Sequence, residues 1–111
     1  MKRSDFEAGL ASVGLNLAVY RDACYQGGGA RWTLSLAPYP AEEIKEAKLA
    51  IRTASTAERA VLVDSFFAAA KLAKNSQIDA ALHGLEYRGV QGSKNITIAS
   101  FEDELFVNVL E

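Results

Sequence analysis

The chain of 111 residues has one cysteine and one histidine, Cys24 and His83. A lone cysteine cannot close an internal disulfide, and one thiol with one imidazole falls short of a structural zinc site. No uninterrupted apolar run approaches the roughly 18 to 20 residues that a membrane helix needs. The first residues, Met1-Lys2-Arg3-Ser4-Asp5-Phe6-Glu7, put carboxylates where a secretion signal needs an apolar stretch. The expectation is a soluble, cytoplasmic protein that does not enter a membrane. Basic charge is also scarce: 12 Lys and Arg against 14 Asp and Glu give a net charge of −2, with a pI near 5.4. Domains that grip duplex DNA usually have a pI above about 9, so indiscriminate phosphate-backbone binding is disfavoured.

Hydrophobic residues make up 50% of the chain, but 19 of them are alanines, which leaves a core of moderate size for one domain spanning 1–111. Acidity is concentrated at the end of the chain. Residues 76–111 carry six acidic and two basic residues, centred on Glu102-Asp103-Glu104. This cluster reads as a solvated turn, with a docking point for a basic partner as its other reading.

Ser4 or Asp5 can cap a first helix carrying Phe6, Leu10 and Val13, with Gly14-Leu15 as its C-terminal cap. Leu15, Leu17 and Val19 then alternate with polar and small positions as in a half-buried strand. A competing pattern, one helix through Tyr20 to Cys24, would bury Gly9 and Gly14 in its interior at about 1 kcal/mol each. Trp32, Leu34 and Leu36 alternate with Arg31, Thr33 and Ser35, which predicts a strand over 31–37 ended by Pro38 and Pro40. It should pair with the Leu15 strand, leaving 22–30 as a glycine-rich loop.

From Pro40 to Ala54 the Glu, Lys and Ala content, with Ile44, Ala47, Ile51 and Ala54 on one face, predicts a helix. Ser55-Thr56-Ala57-Glu58 is a capping box opening a longer helix to Lys74, with Asn75 as C-cap. A short helix to His83 comes next, closed by Gly84, and then three strands, Leu85–Val90, Asn95–Ala99 and Leu105–Leu110. Strands grouped with strands predict an α+β class: an antiparallel sheet of about five short strands with helices packed on one face, in the order α-β-β-α-α-β-β-β.

Gly27-Gly28-Gly29 lacks the Gly-Lys-Ser/Thr that completes a phosphate loop, and the glycines lead into a strand, not a helix N-terminus. No cofactor or metal is expected. Cys24 with His83 is the one pair that could supply a thiol nucleophile and its base. Arg21, Tyr25 and Arg31 flank the glycines and suit either a protein contact or single-stranded nucleic acid held by stacking and phosphate contacts.

The long helix has a second apolar stripe through Val63 and Phe67. It is either sandwiched between the sheet and the Pro40–Ala54 helix or offered to a partner. The partner-binding candidates are thus Arg21, Tyr25, Arg31, Val63 and Phe67. The leading expectation is a small non-enzymatic protein-binding domain, a regulator, inhibitor or accessory subunit, whose partner is another protein or a second copy of the chain. A single-stranded nucleic-acid binder is the alternative, and a cysteine-dependent enzyme the weaker one.

Overall fold

A computed structural model describes residues 1–12, 18–21, 24–27, 31–38, 41–52 and 56–111. Its elements run α1 (Arg3–Ser12), β1 (Ala18–Arg21), β2 (Cys24–Gly27), β3 (Trp32–Ala37), β4 (Glu46–Ile51), α2 (Thr56–Ala70), α3 (Ser76–Leu82), β5 (Tyr87–Gln91), β6 (Lys94–Phe101) and β7 (Glu104–Leu110). The α+β class and the antiparallel sheet are as the sequence indicates. The sheet has seven strands in the order β1-β2-β3-β4-β7-β6-β5. Two meanders, β1 to β4 and β5 to β7, close on each other where β7 returns beside β4.

One face of this sheet is apolar. Trp32, Leu34 and Leu36 stand in register with Ile51, Leu49 and Ala47, and these with Leu105, Val107 and Val109. Ile96 and Ile98 extend the same rows across β6. All are buried, in one cluster with Phe6 of α1, Phe66 and Phe67 of α2, and Ile78 of α3, so the helices lie on one face.

Two expectations about the first half are corrected. The described part of 40–54, residues 41–52, is not a helix, because β4 occupies its centre. Ala47, Leu49 and Ile51 fit a period of two as well as Ile44, Ala47 and Ile51 fit a helical one. Pairing with both β3 and β7 decides for the strand, overriding the helix propensity of Glu, Lys and Ala. Residues 22–30 are likewise not all loop. β2 lies within them and pairs with β3, Tyr25 opposite Leu34, satisfying a strand edge that would otherwise be bare. The single helix through Cys24 is excluded by β1 and β2. Ser55 of the capping box and the expected helix cap at Gly14-Leu15 lie outside the described residues.

α2 ends earlier than its composition implies. Lys71 takes a left-handed conformation (φ 57°), its N–H donates to the Ala68 carbonyl at 3.1 Å, and that of Leu72 donates to Phe67 at 2.9 Å. This pair of bonds is a Schellman cap, so the helix stops at Ala70 and not Lys74. Asn75 is then the N-cap of α3, its side chain accepting from the Ile78 N–H at 2.8 Å.

Arg3 is buried and ties α1 to the connection between β3 and β4. Its Nε donates to the Ala41 carbonyl (3.0 Å) and its Nη2 to those of Leu36 (3.0 Å) and Pro38 (3.2 Å). Nearby, the Ser4 hydroxyl donates to Glu42 and holds that carboxyl below its ordinary pKa. Replacing Arg3 by Met leaves buried carbonyls without donors and should cost about 2–4 kcal/mol in urea unfolding. A loss under about 0.5 kcal/mol would show that the carbonyls find other partners.

Candidate functional site

At the end of the sheet where β3 begins and β4 finishes, α2, α3 and the β6–β7 turn surround an open groove of about 960 Å³. Each wall arises from local chemistry. Arg31 and Arg52 stand side by side because the Arg52 N–H donates to the Arg31 carbonyl (2.7 Å), continuing the β3–β4 ladder. Arg59 is the fourth residue of α2, and Val63, one turn on, carries the wall down to the core. The turn between β6 and β7 contributes Glu102, Asp103 and Glu104. The C-cap of α3 contributes His83, whose Nδ1 lies 2.8 Å from the Asp79 carbonyl.

Several of these charges neutralise one another. Arg52 Nε meets Glu104 at 2.8 Å, Arg31 approaches Glu58 at 3.8 Å, and Lys74 pairs with Asp64. Arg59 differs. It has no ion pair among the described residues, and its Nε is sealed from water without a hydrogen bond. It also sits in the first turn of α2, where the helix dipole opposes a cation. Glu102 and Asp103 are exposed and also lack an ion pair among the described residues. Glu102 adopts φ 55°, a left-handed conformation that costs a non-glycine residue roughly 1 kcal/mol.

The structure brings Arg31 and Val63 to this groove and separates the other sequence candidates. Val63 and Phe67 are 3% and 2% exposed, so the second stripe of α2 is core and not surface. α1 lies on another side of α2, where Phe6 meets Phe66 edge to face at 5.5 Å, and Phe66 meets Phe67 at 6.2 Å; no helix lies over 41–52. Arg21 lies at the end of β1 opposite Cys24, and Tyr25 lies in β2 opposite Leu34; their side chains fall outside the described residues. Cys24 is in β2, while His83 caps a helix packed on β6 and β5, with β3, β4 and β7 in between. Among the described residues no group of His, Cys, Asp or Glu could hold a metal ion.

Sequence reasoning missed Arg52 and Arg59. Arg59 left one readable signal, a cation directly after the capping box, against the helix dipole. Arg52 left none, since its surroundings read as helix.

The fold defines a small single-sheet α+β domain, and no helix among the described residues is long and apolar enough to cross a membrane. Comparison of the chain with protein families, curated proteins and solved structures yields no match.

Two stability measurements check this geometry. Phe67→Ala should cost about 3–5 kcal/mol, as truncation of a buried aromatic does; a loss below about 1 kcal/mol would place Phe67 outside the core. Arg59→Gln should be neutral or stabilising by up to about 1 kcal/mol, because it removes an unpaired cation from the positive end of a helix. A clear destabilisation would mark Arg59 as a structural residue.

Proposed function

We propose that this protein is a small non-enzymatic protein-binding domain, a cytoplasmic regulator, inhibitor or accessory subunit, and that its partner docks over the groove at the head of α2. The observation that carries this is Arg59: a guanidinium kept in a groove wall with no ion partner among the described residues, at the helix end that disfavours it. Arginine is enriched among the residues that dominate interface energies. A groove lined from five elements also presents a preformed surface, which lowers the ordering cost of binding.

The test is capture of a partner from an extract of the native host by immobilised protein, identified by mass spectrometry, with Arg59→Glu run in parallel. A partner retained by the wild type should be lost with Arg59→Glu, while the variant unfolds at the wild-type temperature. An unchanged set of retained proteins would overturn the groove as the docking surface. Sedimentation of the wild type tests a second copy as partner, since a dimer dispersed by Arg59→Glu would identify the chain itself.

A further inference from the structure

We infer that the groove takes an extended peptide segment of mixed charge, whose acidic side chain meets Arg59 and whose basic side chain meets Glu102 and Asp103. This rests on reading the groove as a protein-docking surface and adds the chemistry of the docked segment.

The charges of the groove are segregated, not cancelled. Where cation and carboxylate can meet they do, as Arg52 with Glu104, Arg31 with Glu58 and Lys74 with Asp64. The charged groups of the groove left without an ion pair among the described residues are Arg59 on α2, Asp79 on α3, and Glu102 and Asp103 on the β6–β7 turn. Opposite charges on separate elements of one groove that do not pair with each other form an electrostatic template, complementary to a ligand with the reverse order.

That template disfavours the simpler ligands. A polyanion such as a nucleic-acid strand would meet Arg59 but also run against Glu102 and Asp103. A polycation would gain the turn and be repelled at Arg59, beside which Arg31 and Arg52 are already neutralised. A segment bearing one charge of each sign satisfies both ends. The Arg59 guanidinium, whose Nε has no hydrogen-bond partner, presents planar donors that suit a carboxylate.

Selection of random peptides displayed on phage tests this against the intact protein. Peptides selected on the wild type should be enriched in an acidic and a basic residue at a fixed spacing. Selection on Arg59→Gln should lose the acidic preference and keep the basic one. Selection on the double variant Glu102→Gln, Asp103→Asn should do the reverse. Binding of a selected peptide should weaken about tenfold with Arg59→Gln and recover in part with Arg59→Lys, the scale of one charged contact. Peptides of a single charge sign, preferences unaltered by the variants, or no enrichment at all would overturn the inference. The two proposals fail separately: if no peptide is selected while a native partner is still lost with Arg59→Glu, the docking surface stands and its peptide chemistry falls. If partner capture ignores Arg59, the docking surface itself falls.

Discussion

The fold depends on α2 being buried on two sides. A seven-stranded sheet with one apolar face has three helices among the described residues, of 10, 15 and 7 residues, to cover it. α2 takes the centre, and its own outer side would be bare if α1 did not lie on it. The two helices meet at Gly9, where a Cβ would stand 3.7 Å from the Ser65 carbonyl oxygen and 4.0 Å from the Ala69 Cβ, at ordinary contact distance. Leu62, Val63, Phe66 and Phe67 therefore all count as core, although no single helical stripe contains them. Arg3 fixes the other end of α1, by directing its donors to the carbonyls of the β3–β4 connection.

With α2 held laterally, its two ends are treated differently. At the C-terminal end, groups of the β5–β6 hairpin meet the backbone of the helix and its exit. The Lys94 ammonium donates to the Ala70 carbonyl at 2.7 Å, where a cation suits the negative end of the helix. The Gln91 amide donates to the Ala73 carbonyl at 2.7 Å and accepts from the Ala73 N–H at 3.0 Å, standing in for a strand neighbour. The hairpin thereby clamps the start of the α2–α3 connection, and its Gly92 turn at φ 61° keeps both residues at the correct reach. At the N-terminal end the chemistry is reversed, with a cation where the helix is already positive.

The second half of the fold was more legible than the first, and the reason is how many patterns each segment satisfies. From Ser76 onward each segment fits one period only. Asn75 and Gly84 bracket a helix too short for any other assignment, and Gly92-Ser93 and Glu102-Asp103 are two-residue turns between alternating runs. Around Glu46–Ile51 both periods fit, and alanine, small enough for either environment, does not discriminate. The presence of β3 and β7 on either side decides, and β7 comes from the far end of the chain, so the deciding information has no local trace. β2 was hidden the same way, since Gly27 reads as loop until Tyr25 is set opposite Leu34. For the groove, the acidic turn was visible as a cluster, but its meaning came from Arg52 and Arg59 arriving beside it from other elements.

A chain that neutralises its charges where elements meet, as Lys74 of the α2–α3 connection with Asp64 of α2, has the means to neutralise Arg59 too. Arg59 nonetheless stands near the positive end of α2 with no ion pair among the described residues and with its Nε unbonded. Glu102 repeats the pattern on the opposite wall, where glycine would relieve its backbone and a carboxylate is kept. Natural sequences depart from local consistency chiefly where something other than folding is selected. Here both departures fall on the same groove, and on groups that the described part of the fold leaves without a partner.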